Sequence, residues 1–338
     1  MQTAHEKDSV YHGRDRRTAV VLVNLGTPKS PGYFDVMFYL REFLSDPRVV
    51  GLPRLLWYPI LYGFILPFRS RASGEKYGQI FDKKRGMPLL YLSEDVCSHL
   101  QDSLASTHPT VDIYLAMRYG KPSLEDILDQ IKQTPVREIL FIPMFPQYSQ
   151  ATTATIVDKV AQIFKKWRFV PDIRFLSGFA DHPKYISALS ASIKNYWQMH
   201  GRGEKLLISF HGLPKRSLTD GDPYFCLCHK TTRLLTQTLD IGPDDFLMVF
   251  QSRLGPFPWL SPYTEDTIVS LAKSGYKTLD IVAPGFSVDC LETIDEIGRE
   301  YQELFQEHGG TSLRYIPALN DSPAAIDCFR SLICAHIE

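Results

Sequence analysis

A chain of 338 residues, 44% hydrophobic and 22% charged, is about two ordinary domains long and able to bury a substantial core. Lys+Arg 37 against Asp+Glu 38 leaves a formal charge of -1, which excludes a global field for nucleic acid and confines any anion binding to local groups. Six scattered cysteines (Cys97, Cys226, Cys228, Cys290, Cys328, Cys334) and a polar, charged stretch from Met1 to Arg17 with no secretory leader predict reduced thiols in a cytosolic compartment.

In chain order, short apolar runs at 18–24, 111–116, 138–143, 172–176, 205–210, 246–250, 278–283 and 313–316 read as strands separated by helical stretches. That alternation predicts an α/β fold of parallel sheets with helices on both faces. Behind the first strand, at 55–68, lies an aromatic-rich apolar run bracketed by Arg54 and Arg69 and interrupted by Pro59, Gly63 and Pro67. A bilayer span takes about 20 apolar residues, so this run reads as a pocket lip, a membrane-surface segment or plain core. Farther on, Ser123 followed by Glu125 and Asp126 predicts a helix N-cap.

The run 205–210 ends on His211, followed at once by Gly212, Leu213 and Pro214. Gly and Pro stop the strand, so the imidazole stands at the strand's carboxyl end, where open α/β sheets bind ligands. The turn has an echo in Leu25-Gly26-Thr27-Pro28. Gly212 follows Gly26 by 186 residues and Pro284 follows Pro143 by 141, so the first half carries about 45 extra residues, placed at about 51–85. In this duplication Leu25 stands where the second half has His211, and Met144-Phe145 faces Gly285-Phe286.

After the strand at 278–283, Val288, Leu291, Ile294 and Ile297 recur every third residue and predict a helix packed on the sheet. Asp289 lies one turn before a row of carboxylates, Glu292, Glu296 and Glu300, whose like charges disfavour an isolated helix. A solvated acidic face, with Asp295 paired to Arg299, is one reading. The other joins His211 and these carboxylates across one crevice, to bind a divalent cation through N and O ligands or to pass protons outward. Cys226-Leu227-Cys228-His229 has no distant partner pair and is a weak zinc signal.

The chain resembles the ferrochelatase family in Leu22-Val23-Asn24-Leu25-Gly26-Thr27-Pro28, Met117-Arg118-Tyr119-Gly120, Pro146-Gln147-Tyr148-Ser149, the His211 segment, Gly221-Asp222-Pro223-Tyr224, Gln251-Ser252-Arg253-Leu254-Gly255-Pro256 with Pro258-Trp259, and the Glu292 helix. The resemblance implies two Rossmann-like domains with a porphyrin cleft between them. The expected division is 17–177 plus 314–338 for the first domain, with the lip insertion at about 51–85, and 178–313 for the second. It further implies a lyase of haem biosynthesis that inserts Fe(II) into protoporphyrin IX and releases two protons. His211 and Glu292 are then the catalytic and metal-binding pair, with Glu296 and Asp289 as the relay. Leu25, Arg118, Tyr119, Phe145, Ser252, Arg253, Trp259 and Phe286 are the expected porphyrin contacts, the arginines and Ser252 toward the propionates. Trp57, Tyr58 and Phe64 form the expected lip, which approaches the membrane in relatives. Fe(II) enters as substrate, with no permanently bound cofactor. The chain ends soon after His336 without a cysteine-rich extension, so no [2Fe-2S] cluster is expected. Where many relatives carry histidine this chain has Cys290. Another tetrapyrrole chelatase, for coproporphyrin or for cobalt or nickel, and a non-catalytic haem or porphyrin carrier are the competing readings.

Overall fold

The computed structural model describes residues 17–253 and 258–337. Its eight strands are β1 (Arg17–Asn24), β2 (Val111–Met117), β3 (Val136–Pro143), β4 (Asp172–Phe175), β5 (Lys205–His211), β6 (Phe246–Gln251), β7 (Thr278–Val282) and β8 (Ser312–Ile316), each within two residues of the run expected from sequence. They form two parallel sheets ordered β2-β1-β3-β4 and β6-β5-β7-β8. One topology is written twice, with β1 and β5 in the same inner place.

The inner strands are apolar because both faces are covered. Along β1, Val20 and Leu22 join a core shared with Leu206, Ile208 and Phe210 of β5, so one face of each sheet looks onto common ground. The alternate residues Ala19, Val21 and Val23 pack into a separate outer layer of the first half. Leu207 of β5 does the same in the second.

Between β1 and β2 run α1 (Tyr33–Leu44), α2 (Arg54–Ile60), a π turn (Leu61–Ile65), α3 (Leu66–Ile80) and α4 (Pro88–Leu104). The extra residues of the first half therefore fold as helix. Pro59 and Pro67 do not break the run, as the sequence suggested, because the π turn between them absorbs the misfit of residues that lack a donor. Its inner side forms a small core of Val36, Tyr39, Leu61, Leu66, Tyr77 and Tyr119, while Leu55, Phe64 and Phe68 point outward at 91%, 66% and 74% exposure. Among the described residues no helix is long and apolar enough to cross a membrane.

The remaining helices of the first half are α5 (Leu124–Ile131), capped by Ser123 and Asp126 in a reciprocal capping box as expected, and a π turn (Gln150–Ala154) that runs into α6 (Thr155–Phe164). The long α7 (Pro183–His200) leads into β5. Then come α8 (Lys215–Thr219), α9 (Tyr224–Leu239), α10 (Thr264–Lys273), a π-helix at Glu292–Glu300 continuing into α11 (Tyr301–Glu307), and α12 (Pro323–Ile337).

The duplicated turns have the same physical cause. A Cβ on Gly26, whose φ is +113°, would stand 1.8 Å from the Tyr119 carbonyl oxygen, and one on Gly212 would stand 2.7 Å from that of Gln251. Each glycine presses its backbone against the chain just leaving, or ending, the neighbouring strand, β2 or β6. A side chain at either place would push the loop off the sheet.

Candidate active site

The carboxyl ends of both sheets meet around a cavity of about 60 Å³. Asn24, Leu25, Gly26 and Thr27 after β1, and Met144 and Phe145 after β3, form one side; Phe286, Ser287, Val288, Cys290, Leu291 and Glu292 after β7 form the other. The Ser287 hydroxyl donates to the Met144 carbonyl at 2.7 Å, so the two equivalent loops touch, as the duplication suggested. Tyr39 of α1 and Tyr77 and Ile80 of α3 also line it, with Pro88 and Leu89 of α4. The sequence singles out neither tyrosine, and nothing in their spacing marks them. A groove of about 510 Å³ adjoins this cavity, sharing Thr27 and Tyr39 and lined also by Lys29, Phe38, Arg41, Tyr62 and Lys121.

The stretch bearing the carboxylates differs from the α-helix that the sequence suggested. From Glu292 to Glu300 it is π-helical. With i→i+5 hydrogen bonds each residue turns through a smaller angle, so a three-residue apolar spacing cannot stay on one face. Ile294 accordingly lies outside at 36% exposure, and the buried side belongs to Thr293, Asp295 and Ile297. Asp295 pairs with Arg299 at 2.7 Å, as expected.

Glu292 faces the cavity, and Glu296 is half-buried behind it. The Ser252 hydroxyl donates to Glu296 Oε2 at 2.7 Å and the Tyr301 hydroxyl to Oε1 at 2.8 Å. Burial raises the Glu296 carboxyl above its ordinary value, opposed by these hydrogen bonds and by the charge of His211, and helped by the charge of Glu292. Glu296 thus feels the charges of both His211 and Glu292. Ser252, expected at a propionate, instead serves Glu296 and does so with φ at +62°. Cys290 is buried, and burial together with its hydrogen bond to Glu292 pushes the thiol well above its ordinary value.

A raised carboxyl binds its proton more tightly folded than unfolded. The stabilisation linked to Glu296 is thus fully present below pH 4.5, its unfolded value, and is lost as pH rises through the folded value. Glu296→Gln removes that loss, so the variant gains thermal stability relative to the wild type as pH rises above 4.5 and through the raised folded value. Unfolding curves that stay parallel across this range would contradict it.

Other expected contacts lie elsewhere. Trp259 sits over the turn after His211, its Cε3 3.2 Å from where a Gly212 Cβ would be. Phe145, Phe286 and Leu25 reach the cavity, whereas Tyr119 does not: it is fully buried beneath the lip helices. Arg118, expected at a propionate, has partners within the first half. Its guanidinium holds Asp46 at 2.5 Å and Thr155 at 2.7 Å, and the Tyr119 hydroxyl donates to the same Asp46 carboxylate at 3.0 Å. Asp289, expected in the relay, accepts from Thr293, Tyr315, Asn320 and the Ala318 amide, which makes it an anchor for the loop before β8's helix. Arg253 stacks on Tyr263 with 4.4 Å to the ring centre; Leu254, Gly255 and Pro256 of the same motif lie outside the described residues. In the lip, the Trp57 indole donates to the Leu44 carbonyl and Tyr58 packs inward, leaving Phe64 as the outward member. Cys228 is buried and Cys226 exposed, so they point apart. Among the described residues no group of three or more His, Cys, Asp or Glu is arranged to hold a metal.

Two copies of a four-stranded parallel sheet, meeting at their carboxyl ends over a histidine and carboxylates, define a chelatase-type fold. The chain superposes on SirB from Bacillus subtilis with Fe3+ at a TM-score of 0.58, 10% identity and 94% coverage of both chains. It superposes on CbiX, the terminal enzyme for biosynthesis of siroheme in denitrifying bacteria, at 0.50, with 13% identity and coverage of 96% of this chain and 100% of that one. Residues 17–337 match the Ferrochelatase family. The ferrochelatase of Marinobacter nauticus is 44% identical over 332 residues, 98% of this chain and 90% of that protein. That of Herminiimonas arsenicoxydans is 46% identical over 333 residues, with the same two coverages of 98% and 90%. The chain belongs to the ferrochelatase family, and it is a lyase.

Proposed function

We infer that the protein inserts Fe(II) into protoporphyrin to give protohaem, a step of haem biosynthesis, and that His211 and Glu292 carry the chemistry. Metalation exchanges two pyrrole N–H protons for one divalent ion, so the site needs a base at the macrocycle centre and a path outward. His211 at the end of β5 is that base, since an imidazole nitrogen placed at the rim can take a proton from a reacting group. Glu292 receives the metal or the second proton, and Glu296, tied to Ser252 and Tyr301, leads away from it. Leu25, opposite in the duplicated half, offers an apolar surface with no competing ligand.

A planar porphyrin hides its nitrogen lone pairs from an incoming ion, so binding it bent toward the metalated shape lowers the barrier. Phe145, Phe286 and Trp259 are the walls for this. With Arg118 committed to Asp46, the propionates pass to Lys29 and Arg41 in the adjoining groove, whose volume of about 510 Å³ lies in the range of small-molecule sites. The exposed apolar side of the lip, with Leu55, Phe64 and Phe68, suits peripheral contact with the membrane that holds the apolar substrate.

The observation that carries this reading is Glu292 lining the cavity where the carboxyl ends of the two sheets meet, with Glu296 held behind it by Ser252 and Tyr301. A panel of protoporphyrin and coproporphyrin against Fe(II), Co(II) and Ni(II) tests it. Fastest turnover with protoporphyrin and iron is expected. Preference for coproporphyrin, which brings two more carboxylates, or tight porphyrin binding without turnover would overturn it.

A further inference from the structure

We propose that Lys76 is a positioning residue for metalation, acting through Glu300 on the π-helix that carries Glu292 and Glu296. The proposal rests on the iron-insertion reading above.

The helix α3 belongs to the first half by two contacts. Gly74 lies so close to the Pro31 carbonyl that a Cβ there would stand 2.7 Å from the oxygen. Tyr77 packs edge-on against Tyr39 with ring centres 6.4 Å apart, and the Tyr39 hydroxyl donates to the Gly26 carbonyl at 3.1 Å. This ties α3 to the loop that carries Leu25.

The same helix then reaches across. Lys76 Nζ lies 2.6 Å from Glu300 Oε1 at the far end of the π-helix, and Arg299 joins Glu300 at 3.3 Å while holding Asp295 at 2.7 Å. Asp295 is the immediate neighbour of Glu296. One side chain thus links a helix anchored beside Leu25 to the helix that bears the metalation carboxylates.

Stability does not account for the contact. Lys76 and Glu300 are 45% and 33% exposed, and pairs of that kind add little to folding. Register is a better account. A π-helix has poorer hydrogen bonding than an α-helix and is held by what surrounds it. Reacting groups must also stand within a fraction of an ångström of their productive geometry, or rate is lost. The Lys76 tie fixes the distance between Leu25 on one face of the macrocycle and Glu292 on the other.

Steady-state iron insertion and thermal unfolding are compared for wild type, Lys76→Met, Lys76→Arg and Lys76→Glu. Lys76→Met is expected to lower kcat about two- to fivefold, the ceiling for a half-exposed pair, with KM for porphyrin and the unfolding temperature unchanged. Lys76→Arg restores most of the rate, and Lys76→Glu, facing Glu300, lowers it further. Added salt screens the pair, so the wild-type rate approaches that of Lys76→Met. A Lys76→Met rate equal to wild type at low salt, a loss that arginine does not restore, or a loss matched by a lower unfolding temperature would overturn the proposal. Wild-type turnover in the same assay separates the two claims: its absence contradicts iron insertion, whereas turnover indifferent to Lys76→Met contradicts positioning.

Discussion

His211→Ala lowers the rate of iron insertion by about two to four orders of magnitude, the usual worth of a positioned proton acceptor, and leaves the unfolding temperature near that of the wild type. The second half of this expectation follows from the duplication. At the equivalent place after β1 the chain carries Leu25, on the same Gly-x-Pro turn and against the same kind of neighbouring backbone. The fold therefore closes that turn without an imidazole, and Gly212 and Pro214, not His211, end the strand. Absorbance assays of haem formation beside circular-dichroism melts read both quantities. Turnover retained by the alanine variant would remove His211 from the chemistry, and a collapse of stability would make it a structural residue.

Asp46→Ala destabilises the fold by about 3–5 kcal/mol, the range for removing one partner of a buried ion pair. The two side chains are 6% and 12% exposed. Losing the carboxylate leaves the Arg118 guanidinium against Tyr119 and Thr155 with no counter-charge, and strands the Tyr119 and Thr155 hydroxyls that donate to Asp46. Replacing both partners, as Asp46→Leu with Arg118→Met, recovers most of the loss because no charge then stays buried. Urea unfolding measures it. If Arg118 instead served a propionate, Asp46→Ala would leave stability nearly intact and change porphyrin affinity.

These two residues mark the boundary of what the sequence discloses. The strands were legible because inner parallel strands are apolar on both faces, and the turn at His211 because Gly and Pro punctuate so strongly. The duplication added Leu25, and so separated chemistry from architecture. Arg118 has its partner Asp46 72 residues away in sequence, and no local signal announces it. The partners of Asp289 are hidden in the same manner, since Tyr315 and Asn320 reach it only through the folding of β8 and the loop beyond.

The π-helix was hidden for a different reason. Its apolar spacing satisfied a helical template, and only tertiary contacts select the wider turn; the exposed Ile294 is the residue that betrays it. In the lip, prolines read as breaks because the compensating π turn has no composition of its own. Tyr39 and Tyr77 fit a core-facing pattern, and what distinguishes them is the cavity they face. Lys76 and Glu300 belong to helices more than two hundred residues apart.

The most direct measurement is an anaerobic titration of the purified protein with protoporphyrin, then Fe(II), followed by the Soret spectrum in a weakly buffered solution with a pH indicator. The expected result is a bound free-base spectrum that converts to protohaem with two protons released per haem, in the wild type and not in His211→Ala. A porphyrin complex that persists unchanged when Fe(II) is added, or conversion at the same rate in both proteins, would contradict metalation at the His211 and Glu292 site.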